Sequence, residues 1–152
     1  MGLVLDTSVL IEAERGKLSL SSLLRKTFSK ESIYISSISV SELYLGAHLS
    51  QKSFKEQRTT SIEIMISSLI ILDFDSKVAK AHAHAWSQLR KEGILIGPYD
   101  LIIAATCLYY HHSLLTFNSS RYLTREVLIL PLKLDRSLTS FNDLPSFITL
   151  KL

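Results

Sequence analysis

Four short apolar runs, Leu3-Val4-Leu5, Ile33-Tyr34-Ile35, Ile70-Ile71-Leu72 and Leu114-Leu115-Thr116, recur along the chain with room for one or two helices between each pair. That alternation constrains the fold more than any other feature. Strands covered by helices on both faces read as unbroken apolar runs, not as apolar and polar residues in turn. Strands alternating with helical stretches imply an α/β layer structure with a mainly parallel sheet. In such sheets, sites form beyond the carboxyl ends of the strands.

The intervening stretches supply the helices. Thr7-Ser8 offer N-cap chemistry for a helix ending near Gly16. Residues 18, 20, 23, 24 and 28 are apolar at helical spacing, which predicts a helix from Leu18 to Phe28. Ser36-Ser37 or Ser39 can cap the next helix, which carries Val40, Leu43, Tyr44 and Ala47. Phe54 to Ser68 reads as a long helix, Asp75-Ser76 opens another that Gly93 closes, and Tyr99 to Tyr110 is helical and apolar. Val127 to Leu130 is the preferred fifth strand, leaving a tail from Pro131. The alternative makes Phe147 to Leu150 the closing strand and residues 121–140 an insertion. The 152 residues suit a single domain.

Against this apolar background, four segments each place one acidic or amide group where an element begins or ends. They are Leu5-Asp6-Thr7-Ser8, Ser41-Glu42-Leu43, Pro98-Tyr99-Asp100-Leu101 and Thr116-Phe117-Asn118. Asp6 and Asn118 follow strands, so they fall on the edge where sites form. A carboxylate in an apolar setting costs several kcal/mol, on the order of magnitude seen even after relaxation. If the fold gathers these groups, a hard divalent cation is the simplest partner. Taken singly, Asp6 and Asp100 are equally accounted for as helix-start acids favoured by the dipole.

The net charge of +3 permits a polyanionic partner without requiring one. Gathering the acids in one pocket would leave the rest of the surface more basic than that total. No basic n-region precedes the first apolar run, and no apolar stretch reaches the ~20 residues that span a bilayer. The single cysteine, Cys107, excludes an internal disulfide. We therefore expect a cytoplasmic protein without membrane segments.

The residues resemble the PIN-domain nucleases. Asp6-Thr7-Ser8-Val9-Leu10 is similar to the family's opening, and Ser41-Glu42-Leu43-Tyr44-Leu45-Gly46 to its acidic helix with a glycine four residues on. Gly97-Pro98-Tyr99-Asp100-Leu101-Ile102-Ile103-Ala104-Ala105 is the most specific match. Thr116-Phe117-Asn118, followed by Tyr122, resembles the last segment, which carries Asp or Asn. Order and spacing look most like the VapC-type toxins of type II toxin–antitoxin pairs, over about residues 2–123.

The resemblance implies a PIN-like three-layer α/β/α fold with a mainly parallel, about five-stranded central sheet, residues 121–152 being an atypical tail or insertion. It also implies an endoribonuclease that hydrolyses RNA phosphodiesters by metal-activated water, with Mg²⁺ or Mn²⁺ as cofactor. Asp6 and Asp100 would be direct metal ligands, Glu42 would bind the metal or its water, and Asn118 would complete the set through its amide oxygen. Ser8 and Thr116 would be hydroxyls that orient Asp6 or a bound water, or simply a cap and a strand-end hydroxyl. Arg15, Lys17, Arg121 and Arg125 would hold RNA phosphates, or form a solvated basic surface. A cognate antitoxin and a homodimer are the implied protein partners.

Other residues read more plainly. Asp75 is an N-cap, and Cys107 in an apolar helix is buried and inert. His82 and His84 sit on different helical sides, which argues against zinc. Trp86 is expected in the core and Arg58 in solvent. Two rival readings stay open: a catalytically silent PIN module that binds RNA or a protein, and a hydrolase using Asp6 as a phosphoryl nucleophile. The second usually wants an acid two residues on, where Ser8 stands.

Overall fold

The computed structural model describes residues 2–27, 32–117, 133–134 and 148–151. The chain opens with strand β1 (Leu3–Leu5), helix α1 (Thr7–Glu14) and helix α2 (Leu20–Thr27). Strand β2 (Ile33–Ser36) is followed by α3 (Ser37–His48) and α4 (Lys52–Ile66), then β3 (Ile70–Leu72), α5 (Ser76–Lys91), α6 (Pro98–Tyr110) and β4 (Ser113–Thr116). Strands β5 (Lys133–Leu134) and β6 (Ile148–Lys151) complete the described elements.

The sheet runs β3-β2-β1-β4-β6-β5. Strands β1 to β4 are mutually parallel, and β6 and β5 are added antiparallel at the β4 edge. Parallel neighbours need helical crossovers, which is what the long intervals between the apolar runs provide. The preferred fifth strand, Val127 to Leu130, lies outside the described residues. The strand beside β4 is Ile148–Lys151, where the alternative reading put it, with Thr116 opposite Ile148.

The strand period of two divides the core between the two faces. Leu3, Leu5, Ile35 and Leu115 pack with Val9 and Leu10 of α1, Leu43 and Ala47 of α3, and Ile62 of α4. Val4, Leu72 and Leu114 point the other way, against Ile103, Ala104 and Cys107 of α6. Ala85 and Leu89 of α5 then pack on Leu101. The result is the expected α/β/α layering, with α1, α3 and α4 on one face and α5 and α6 on the other.

Helix ends follow local chemistry. Ser36 caps α3 by accepting from Ile38 N–H, and Asp75 caps α5 through Oδ1, which accepts from Lys77 and Val78 N–H at 2.9 Å each. His111 closes α6 in the left-handed region at φ 54°, a conformation more often given to glycine. The next residue, His112, accepts from Gly2 N–H at 3.3 Å and stacks on Tyr34 at 4.4 Å, tying the chain start to the end of α6.

Arg58 departs from the solvated role expected of it. Its Nε and a terminal nitrogen bond the two Glu14 oxygens at 2.6 and 2.9 Å, and its other nitrogen donates to Gly46 O at 3.0 Å. This fork joins α1, α3 and α4, and the Glu14 side chain is only 6% exposed. The hydrogen bond to Glu14 raises the Arg58 pKa further above its ordinary value.

Candidate active site

Strand β1 is where the strand order reverses. From it the chain proceeds outward through β2 and β3, then crosses back to β4 on the other side of β1. Connections that leave adjacent strand ends in opposite directions open a crevice there. Leu5 pairs with Leu115 in register, so the residues that follow, Asp6 and Thr116, meet at the mouth of that crevice. Asp6 N–H donates to Leu115 O at 2.9 Å, which fixes the backbone at this point.

Asp6 is the N-cap of α1, yet its carboxylate makes no capping bond. It receives Ser8 Oγ at 2.5 Å and Thr116 Oγ1 at 2.7 Å, both on Oδ2. Ser8 Oγ also lies 3.3 Å from Thr116 Oγ1 and accepts from Phe117 N–H at 3.1 Å. The two hydroxyls named from sequence are thus both in contact with Asp6, which is 4% exposed. A buried carboxylate held by two donors keeps one orientation and stays acceptor-rich.

Glu42 reaches the same mouth from α3. Thr7, the first residue of α1, donates its hydroxyl to Glu42 Oε2. Thr7 and Ser8 were expected to cap the helix, but their hydroxyls serve two carboxylates instead. Ser39, one turn before Glu42, is fully buried and its hydroxyl lacks a hydrogen-bond partner. A buried unpaired hydroxyl costs on the order of 1–3 kcal/mol, so a water or ligand at this spot would be welcome.

Asp100 enters from the first turn of α6, where the helix dipole favours its charge, and is 9% exposed. A Cβ built on Gly97 would stand 2.6 Å from Asp100 Oδ2. The glycine therefore makes room for the carboxylate and is not needed for an unusual φ. Two turns on, Cys107 is buried on the face of α6 that meets the sheet. Burial first, and the Asp6 charge second, push its thiol pKa far up.

The structure brings Asp6, Ser8 and Thr116 into direct contact and links Glu42 to α1 through Thr7. Arg15 and Lys17 lie beyond the far end of α1, about 12 Å along its axis. Both are exposed, with Glu12 at 3.4 and 3.6 Å. Asn118, Arg121 and Arg125 lie outside the described residues. Among the described residues, no group of three or more His, Cys, Asp or Glu side chains forms a metal cage. Mg²⁺ does not demand one, since one or two carboxylates, waters and a phosphate suffice. The donor set here is oxygen only, which suits Mg²⁺ or Mn²⁺ and not a soft metal.

Sequence reasoning missed Thr7 as a carboxylate partner, the space Gly97 leaves for Asp100, and the buried Ser39. Only the glycine left a signal, standing three residues before an acid at a helix start. Trp86 corrects another expectation: it is 49% exposed on α5 and not part of the core. No helix among the described residues is long and apolar enough to cross a membrane.

Comparison with known proteins agrees with this architecture. The PIN domain matches residues 3–125. "Ribonuclease VapC" of Rickettsia bellii is 38% identical over 138 residues, covering 88% of this chain and 99% of that protein. "Ribonuclease VapC1" of Rickettsia felis is 35% identical over 119 residues, 78% of this chain and 86% of its own. Among solved structures, VapBC2 from Rickettsia felis bound to a promoter DNA fragment superposes with a TM-score of 0.74 at 29% identity, covering 80% of this chain and 91% of that one. The matched span contains β1, the switch-point crevice and all three acids, and on these grounds the chain belongs to the PIN-domain family, among the proteins named VapC.

Proposed function

We propose that this chain is a divalent-metal-dependent endoribonuclease and the toxin of a VapBC-type pair. The observation that carries the reading is the buried Asp6 carboxylate at the topological switch point, oriented by Ser8 and Thr116. The relatives named "Ribonuclease VapC" support RNA as substrate. Asp6 and Asp100 would hold Mg²⁺ or Mn²⁺, with Glu42 beside them and Asn118 as a further oxygen donor. A cation bound there would supply acidification of the attacking water and neutralise charge gathering on the phosphate.

The chain's own groups do the positioning. Ser8 and Thr116 keep Asp6 in one rotamer, Thr7 draws Glu42 toward the same mouth, and Gly97 leaves Asp100 its place. Glu42 would bind the metal or its water from the same mouth, its carboxylate receiving the Thr7 hydroxyl. Arg15, Lys17 and Arg121 are proposed as outer phosphate contacts. The solved VapBC neighbours support a cognate antitoxin, and a homodimer and a cytoplasmic location complete the proposal.

A second reading is a catalytically silent module that binds RNA or a protein. Asn118, an amide where an all-acid quartet would carry a charge, keeps it open. A cleavage assay on structured RNA with Mg²⁺ or Mn²⁺ decides between the two. The nuclease reading expects cleavage that is lost with EDTA and in Asp6→Ala and Asp100→Ala. Undiminished cleavage by both variants, or none by the wild type, would sink it.

A further inference from the structure

We infer that Ser39 is a positioning residue of the crevice, its buried hydroxyl holding a water of the divalent cation's shell. This rests on the proposal that a cation binds at the acids, and extends that site by one residue. Ser39 is fully buried, and its Oγ is the one buried side-chain polar atom without a hydrogen-bond partner among the described residues. Such atoms are rare because burial without a partner is costly, and a water or ligand is the usual remedy.

Helix chemistry does not satisfy this hydroxyl. Thr59, Ser61 and Thr106 donate to the carbonyl four residues back, at 2.9, 2.9 and 2.8 Å. Ser50, Ser67 and Ser68 donate three residues back. Three and four residues before Ser39 stand Ser36 and Ile35, which belong to β2 and not to the helix. The back-bond that other hydroxyls of this chain make is absent here.

Placement ties Ser39 to the acids. Helix α3 buries Ser39, Leu43 and Ala47, which are four apart, so Ser39 heads a single stripe. Leu43 and Ala47 pack with Val9 and Leu10 of α1. Ile38, beside Ser39, packs instead with Ile103 and Ala104 of α6. The first turn of α3 therefore lies between the helix that starts after Asp6 and the helix that carries Asp100. Glu42 stands one turn after Ser39 and takes the Thr7 hydroxyl from the start of α1. Leu5 pairs with Ile35, so Asp6 and Ser36 leave the sheet side by side, with Ser39 three residues on.

Three other hydroxyls at this mouth, those of Thr7, Ser8 and Thr116, donate to carboxylates. Ser39 sits among the same elements without such a bond, so its partner is an atom the chain does not supply. Mg²⁺ held by one or two carboxylates keeps several waters, and groups behind those waters tune how tightly the ion is held.

The test titrates Mn²⁺ alone into the full chain by calorimetry. Ser39→Ala should bind Mn²⁺ about ten- to a hundredfold more weakly than the wild type. Ser39→Cys, which keeps the volume but offers only a weak donor, should follow it, and Ser39→Thr should recover most of the affinity. In EDTA, Ser39→Ala should melt within about 2 °C of the wild type or above it, because alanine favours a helix and leaves no unpaired hydroxyl. Wild-type Mn²⁺ affinity in Ser39→Ala overturns the inference and leaves the nuclease reading intact. So does a melting temperature in EDTA more than about 5 °C below the wild type, which would make the hydroxyl a prop of the fold. Weakened Mn²⁺ binding in Ser39→Ala, with no RNA cleavage by the wild type, keeps the inference and removes the nuclease reading.

Discussion

Thr116 Oγ1 donates a 2.7 Å hydrogen bond to Asp6 Oδ2 across a sequence separation of 110 residues. The bond joins the carboxyl ends of β1 and β4, the two strands that flank the switch point. It converts an acid that would otherwise be a helix cap into a group aimed at the crevice. Replacing Thr116 by Val keeps the shape and removes the donor. We predict a Mg²⁺ or Mn²⁺ affinity about ten- to a hundredfold weaker. Thr116→Ser should restore much of it. Isothermal titration of the metal checks this, and unchanged affinity in Thr116→Val would show the hydroxyl to be a strand-end group only.

Asp6 and Asp75 both follow a strand and both occupy an N-cap, but only the Asp75 side chain caps its helix, accepting from backbone N–H groups. Asp75→Ala should therefore cost about 1 kcal/mol of stability and leave cleavage unaltered. Asp6→Ala should abolish cleavage while the protein stays folded, because the buried charge it removes was itself costly. Urea melts paired with the cleavage assay separate the two acids.

Gly97→Ala tests how closely Asp100 is placed. The backbone at Gly97 has φ −58°, which alanine adopts without strain, so the fold should survive. Its Cβ would displace the Asp100 carboxylate, whose Oδ2 lies 2.6 Å away. A loss of kcat of about tenfold or more is expected, since small misplacements at a reacting centre are costly. A melting temperature within about 2 °C of wild type, with kcat unchanged, would mean that Asp100 moves aside without consequence.

The Arg58–Glu14 fork predicts a stability effect far from the crevice. Arg58→Met would leave the Glu14 carboxylate buried without its fork. Breaking a buried pair costs roughly 3–5 kcal/mol, and the one-third exposure of the Arg58 side chain reduces this to about 2. The double variant Glu14→Leu, Arg58→Met should recover part of the loss. Denaturant midpoints for the four proteins measure the coupling directly.

Cys107 predicts an alkaline effect. Burial and the Asp6 charge raise the folded-state thiol pKa above its ordinary value near 9.0, so the fold favours the neutral form. Its contribution is complete below about pH 9 and is lost as pH rises beyond it, because the unfolded chain ionises first. Denaturant midpoints should fall more steeply above that pH in the wild type than in Cys107→Ala. The thiol should also resist alkylation in the native protein and react on unfolding.

Much of the fold was legible because it rests on local patterns. Runs such as Leu3-Val4-Leu5 can bury both faces only inside a sheet, and the apolar residues of Tyr99 to Tyr110 recur at helical spacing. Asp75 and Ser36 cap helices through neighbours two or three residues away, within reach of sequence reasoning. Trp86 and Arg58 were misplaced because exposure is settled by what packs against a side chain. Glu14, the partner of Arg58, is 44 positions distant.

The sequence by itself determined the layers, the parallel order of β1 to β4 as a class, and which residue types were available for oxygen ligation. It did so because strand and helix periodicity and capping act over a few residues. Only the tertiary structure decided that Thr7 serves Glu42 and that Ser8 and Thr116 converge on one oxygen of Asp6. Those relationships depend on the register of β1 against β4 and on helices packed from opposite faces. Such contacts are fixed by the whole core closing at once, and no local pattern encodes them.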